Sequence, residues 1–192
     1  MKLLRTFFLT IFLLFIFLIS FNVLKYKGWE KEFFQKKGLR CLQSVQVDQE
    51  KVEEKFKKFV LSNNKTEFVV LDTDEIIYIL EGSMQKGEEV LLEDLCVLSS
   101  KGVWTILVKY EVKGVTMPWL VLDIVKDDRE TSEIYVKNLS IGNTPLYFGV
   151  GKKTERNINK GIREAITLLN ENEFLGREIK NIELIEEKVV IR

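Results

Sequence analysis

Hydrophobic and polar positions fall into three regimes along this chain. The first is a solid apolar block. Lys2 and Arg5 lead into Phe7–Leu24, where only Thr10, Ser20 and Asn22 are polar, and charge returns at Lys25 and Lys27. A helix of about 18 such residues reaches roughly 27 Å, close to the hydrocarbon thickness of a bilayer. Residues 1–24 are therefore predicted to form a transmembrane anchor. A cleaved secretory peptide would carry a shorter apolar stretch ending in small residues, whereas this one is bulky, rich in Phe, and ends in Val23-Leu24-Lys25.

The second regime has helical period. Val52, Phe56, Phe59 and Val60 form an apolar stripe behind Asp48, a predicted N-cap, with Glu50, Glu53, Glu54, Lys57 and Lys58 opposite and Asn63-Asn64 as the stop. Asp72 followed by Glu75 is a capping-box pattern, opening a helix with Ile76, Ile77, Ile79 and Leu80 that Gly82 is expected to end. A third helix is predicted from Thr154 to Asn170, with Ile158, Ile162, Ala165, Ile166 and Leu169 on one side and Lys160, Arg163 and Glu164 on the other.

The third regime is strand-like. Leu39–Val47, Phe68–Leu71, Val90–Leu98 and Ile134–Leu139 are apolar runs of strand length. Val103–Lys113 alternates, with Trp104, Ile106, Val108, Tyr110 and Val112 on one face and Thr105, Lys109, Glu111 and Lys113 dominating the other. Pro118 introduces Trp119–Val125, a solvated loop follows at Lys126–Glu130, and Gly142-Asn143-Thr144-Pro145 reads as a turn. Arg177–Arg192 reads as a hairpin around Glu186-Glu187-Lys188. Short connections between successive strands imply an antiparallel meander. The expected fold is α+β: the N-terminal transmembrane helix, then one curved antiparallel β-sheet packed against amphipathic helices. Residues 38–192 form the soluble α+β domain.

Residues 25–37 link the two as a juxtamembrane interfacial segment. Tyr26, Trp29 and Phe33, with Phe34, approximate helical spacing among Lys25, Lys27, Lys31, Lys36 and Lys37. Aromatic rings favour the headgroup layer and lysines favour anionic phosphates. Counting positive charges would keep the domain in the cytoplasm. The layout of a small basic head, one apolar helix and a whole domain behind it predicts export, so the domain is expected to be extracytoplasmic.

Charge and composition narrow the chemistry. The 29 basic and 29 acidic residues of the chain balance, but the first 27 residues hold no acid, leaving 25 basic against 29 acidic beyond them. A mildly acidic domain without a basic stripe is not a nucleic-acid binder. The chain has no histidine and only two cysteines, Cys41 and Cys96, which argues against a zinc site and removes the commonest general base. No metal or cofactor is expected. Gly151-Lys152-Lys153-Thr154 only echoes a phosphate loop, lacking its first glycine and its parallel βαβ setting. Asp72, Asp74 and Glu75 have capping work available, and Asp123, Asp127 and Asp128 do not have the spacing of an EF-hand. No catalytic residue is assigned, and the chain reads as non-enzymatic. Cys41 and Cys96 form a disulfide if the domain is exported; two buried thiols are the alternative.

The order Glu133–Leu146, with Leu139-Ser140-Ile141-Gly142-Asn143-Thr144-Pro145-Leu146 at its end, then an amphipathic helix, then Ile182-Glu183-Leu184 before Val189-Val190-Ile191, resembles single-span bacterial envelope proteins of the YpmS-like kind. Asp72-Thr73-Asp74-Glu75-Ile76 is similar to their early helix start. The resemblance covers residues 66–192. It implies kinship with tubular-lipid-binding-like domains built from sheet and helix, and it carries over no active site.

These readings converge on a domain held beside lipid with a wide apolar sheet face. The expected function is binding of an apolar ligand, a membrane lipid, between sheet and helix. The proposed wall is Trp104, Ile106, Val108 and Tyr110 from the sheet with Ile158, Ile162 and Ile166 from the last helix; a filled core would use the same residues. The alternative is a structural or scaffolding subunit that docks another envelope protein.

Overall fold

The computed structural model describes residues 2–61, 68–84, 89–126, 133–147, 149–171 and 179–192, which divide into two compact units, Met1–Lys37 and Gly38–Arg192. The first unit is one continuous helix, α1 (Lys2–Phe33). Its segment Ile11–Phe33, with mean hydropathy 1.7, is long and apolar enough to cross a membrane. The charge boundary at Leu24-Lys25 leaves no break in the helix, because Lys and Glu sustain helical backbone and the single Gly28 costs only about 1 kcal/mol. The helix ends through i to i+3 bonds, Gln35 N–H to Glu32 O and Lys36 N–H to Phe33 O.

The second unit is α+β and contains two antiparallel sheets where the sequence pattern suggested one. The larger sheet uses β1 (Leu39–Cys41), β3 (Val90–Ser100), β4 (Val103–Val112), β5 (Val115–Thr116), β6 (Leu120–Lys126), β7 (Ile134–Ile141) and β8 (Thr144–Pro145). Its order is β1-β3-β4-β6-β7-β8, with β5 pairing back on β4, and it is open. The expected meander is the run β3-β4-β6-β7. The smaller sheet is β2 (Val69–Asp72), β10 (Lys188–Ile191) and β9 (Ile182–Ile185), in that order. It is separate because β10 lies between β9 and β2, through Lys188↔Ile185 and Lys188↔Asp72. Three bonds from the larger sheet hold it in place: the Trp104 indole N–H to Ile185 O at 2.9 Å, Gly102 N–H to Leu184 O at 2.9 Å, and Glu187 N–H to Ser99 Oγ at 3.0 Å.

Local chemistry explains the elements and where they depart from the pattern. β1 stops at Cys41 because the Ser44 hydroxyl donates to Cys41 O at 2.7 Å, drawing residues 42–44 into a 3-10 turn instead of a strand to Val47. Asp48 caps α2 (Gln49–Leu61), accepting from the Lys51 amide at 3.4 Å; residues 63–64 lie outside the described residues. The capping box is formed: Glu75 N–H donates to Asp72 Oδ1 at 2.9 Å and Asp72 N–H to Glu75 Oε2 at 3.0 Å. The helix it opens, α3 (Thr73–Met84), runs through Gly82 instead of ending there. A lone glycine weakens a helix without terminating it.

Lys113 and Gly114 both have positive φ, 51° and 79°, as a two-residue hairpin turn between β4 and β5 requires. At the next hairpin only Gly142-Asn143 is turn. Thr144 and Pro145 pair with Ile141 and Ser140 as the edge strand β8, where the missing proline N–H faces no neighbour. The last helix, α4 (Val150–Glu171), starts four residues before Thr154. Gly149, with φ 59°, turns the chain into it, and a Cβ at Gly151 would overlap Leu146. Of the charged loop after β6, residues 127–130 lie outside the described residues, while Lys126 belongs to β6.

The main core lies on the Trp104 face of the larger sheet. Leu95, Val97, Trp104, Ile106, Val108, Leu122, Val136 and Leu139 pack there with Ile77 of α3 and with Ile182, Leu184 and Val189 of the terminal hairpin. A second cluster, Phe59, Val69 and Leu71 with Phe56, Ile76 and Ile79, joins α2, β2 and α3. The opposite face of the larger sheet is less polar than the alternation suggested. Leu107 is wholly buried there, paired across strands with Cys96 and Val121, and Cys41 and Cys96 are joined by a disulfide across β1 and β3.

Candidate functional site

All seven residues of the expected ligand wall belong to the main core cluster. Trp104, Ile106 and Val108 are buried at 2–4% exposure, and Tyr110, Ile158, Ile162 and Ile166 are half-buried around them. Burial raises the Tyr110 hydroxyl above its ordinary pKa. α4 lies along β7, tied there by Asn159, whose amide oxygen accepts from Val136 N–H at 2.6 Å and whose amide nitrogen donates to Val136 O at 3.0 Å. Ala165, expected on the buried side of this helix, is exposed. Of the seven wall residues, Ile166 lines a described cavity, a small one of about 190 Å³ against Glu133, Tyr135 and Arg163.

The larger opening lies elsewhere. A groove of about 600 Å³ runs between α2 and β2, with Phe59, Phe68, Val69 and Val70 as its apolar lining and Lys55, Lys58, Lys188 and Asp72 around it. Phe68 is 55% exposed although it sits beside the second core cluster, and the Arg192 guanidinium lies 5.8 Å from its ring. β2 pairs with β10 on one side only. On its other side Lys55 Nζ bonds Val70 O at 3.1 Å and both oxygens of Glu75 at 2.6 and 2.7 Å, while Glu75 also takes the Asp72 amide. A nearly buried carboxylate and an ammonium thus satisfy backbone groups that an exposed strand edge would leave open. Lys55 is committed to this plug. Among the described residues Lys58 is held by an exposed i, i+4 pair with Glu54, an interaction weak enough to exchange for another anion. That pair draws the Glu54 carboxyl below its usual range.

The acidic side chains that could serve chemistry are engaged separately. Glu93 pairs with Lys109 at 2.9 Å, and Asp123 accepts from Thr105 at 2.8 Å and Asn138 at 3.0 Å. Asp72 and Glu75 cap α3; Asp127 and Asp128 lie outside the described residues. Among the described residues no three His, Cys, Asp or Glu side chains converge as a metal site. Lys152 pairs with Glu155 at 3.0 Å.

In α1, Tyr26 and Trp29 are half-buried and Phe33 is buried. Their rings follow one another in tilted contact, 5.6 Å from Tyr26 to Trp29 and 5.4 Å from Trp29 to Phe33, and Lys36 Nζ sits 4.2 Å from the centre of the Phe33 ring. Lys25 and Lys27 are exposed.

The groove was not expected from the sequence. Lys58 reads as part of a solvated helix face and Phe68 as the first residue of the Phe68–Leu71 strand; the structure begins β2 at Val69 and leaves Phe68 outside the sheet, which no local signal marked. No protein-family description, curated protein or solved structure matches the chain.

Proposed function

We propose that this is a membrane-anchored, non-enzymatic protein of the bacterial envelope whose extracytoplasmic domain binds an anionic lipid in the groove between α2 and β2. The observation that carries the reading is that groove: an apolar lining large enough for part of an acyl chain, with Lys58 and Lys188 at hand for a phosphate or carboxylate. Two features support it. The apolar helix Ile11–Phe33 would keep the domain beside its ligand, and a Cys41–Cys96 disulfide suits an oxidising compartment. The lipid reading thereby moves from the sheet–helix interior, where the expected wall packs as core, to the α2–β2 surface.

The test is photocrosslinking of the full chain in nanodiscs doped with a phosphatidylglycerol analogue carrying a photoreactive acyl chain. Crosslinks on peptides containing Phe59 and Phe68, reduced several-fold by Phe68→Ser, are the expected result. Labelling confined to α1 would mean that the helix meets bulk lipid and the domain binds none. Stoichiometric co-purification of a second protein that occludes Phe68 would favour a scaffolding subunit instead.

A further inference from the structure

Another cavity, remote in sequence from the groove, has a different chemistry. It measures about 240 Å³ and lies where β7, β8 and the first turn of α4 meet, lined by Asp123, Lys137, Asn138, Asn143, Tyr147 and Glu155 among others. Its shape comes from two local irregularities. The pairing of β6 with β7 slips between Asp123 and Ile124, leaving Lys137 as an extra residue opposite no partner; such a bulge re-aims neighbouring side chains. The corner from Leu146 to α4 is fixed by the close approach of Gly151 to Leu146 and by the bond from Leu146 N–H to Leu139 O.

The formal charges of the lining sum to zero, with Asp123 and Glu155 against Lys137 and Lys152. Glu155 is already paired with Lys152, and Thr105 and Asn138 hold the Asp123 carboxylate in one orientation. The lining offers no excess of either charge to select an ion by sign. What remains is a set of oriented donors and acceptors: carboxylates, ammonium groups and the amides of Asn138 and Asn143, each able to bond more than once. Tyr147, 65% exposed, stands at the same cavity as an aromatic surface with a polar tip. The volume is below that of a drug-sized pocket. A neutral ligand with many hydroxyls and one apolar ring face matches all of these features.

We propose that this cavity binds a single sugar unit of a neutral glycan, with Tyr147 against the ring face and Asp123, Asn138 and Asn143 bonding its hydroxyl or amide groups. The site is separate from the α2–β2 groove and stands or falls independently of it.

The experiment is calorimetric titration of the full chain in phosphatidylcholine nanodiscs with a soluble chitooligosaccharide, a soluble maltooligosaccharide and inorganic phosphate. Saturable binding of at least one saccharide is expected, with a Kd in the range of about 0.1–10 mM. Tyr147→Ala should weaken it at least about five-fold, as loss of an aromatic contact does; because that side chain is exposed, the variant folds. Phe68→Ser should leave it unchanged. The proposal is overturned if neither saccharide gives saturable heat, if Tyr147→Ala binds like the parent, or if phosphate displaces the sugar.

Discussion

Two neighbouring carboxylates on β3 show how much a single residue's setting decides. The pairing of β3 with β4 slips between Leu92 and Asp94, so that Glu93 is the extra residue of a bulge. Glu93 leans to Lys109, and that hydrogen bond draws its carboxyl below the ordinary range against a smaller opposing effect of burial. Asp94 is pushed the other way, because burial outweighs the Leu95 amide at 2.8 Å and the more distant Lys109 charge. The folded state therefore keeps the Asp94 proton to higher pH than the unfolded chain does. Its contribution to stability falls as pH rises from the ordinary aspartate pKa through the raised one. Asp94→Asn keeps an acceptor for the Leu95 amide and removes the charge. It should stabilise the protein at neutral pH by roughly 0.5 kcal/mol, discounted because the site is still partly solvated, and flatten that acid-range slope. Urea melts of both proteins across mildly acidic to neutral pH measure this.

At the scale of elements, each sheet has a strand edge closed by side chains: β2 at the end of the smaller sheet, and the part of β7 that the two-residue β8 does not cover. Lys55 and Glu75 do this for β2, and Asn159 does it for β7, where its amide takes the place that the next strand's backbone would have. Asn159→Leu keeps the bulk of the side chain but leaves the Val136 amide and carbonyl without these partners. The expected cost is about 1–3 kcal/mol. Hydrogen exchange should show the loss as faster exchange at Val136, ahead of Leu107 in the centre of the sheet. These edge devices mark the limit of what the sequence makes legible. Local patterns were readable: the alternation of β4, the capping box of Asp72 and Glu75, and the stripes of α2 and α4. Each depends on residues a few positions apart. The second sheet was not readable, because whether β10 joins β9 to β2 or extends the meander is settled by Trp104, Gly102 and Ser99 from another part of the chain. Nor was the groove, whose lining comes from α2, β2 and β10 together. Leu107 was hidden within the polar phase of an alternating strand.

Across the domain as a whole, the disulfide is the covalent constraint. It joins residues 55 positions apart, and the loop it closes contains α2, β2 and α3, hence most of the lining of the α2–β2 groove. β1 itself is three residues long and pairs only with β3. Loop-closure entropy alone gives about 4 kcal/mol for a loop of this length. Cys41→Ala or Cys96→Ala should lower unfolding free energy by about 2–5 kcal/mol, read from chemical denaturation under non-reducing conditions. Parent protein made in a reducing cytosol should behave like these variants and recover when oxidised.

The placement of β10 has a consequence in time. β2 is made early, yet the strand that pairs with it arrives about 120 residues later in the chain. Until then the apolar side chains of Val69 and Leu71 have no sheet to belong to, and the α2–β2 groove has no third wall. Synthesis thus leaves a sticky, half-built surface waiting for its counterpart, and a completed groove certifies that the far end of the domain has already docked.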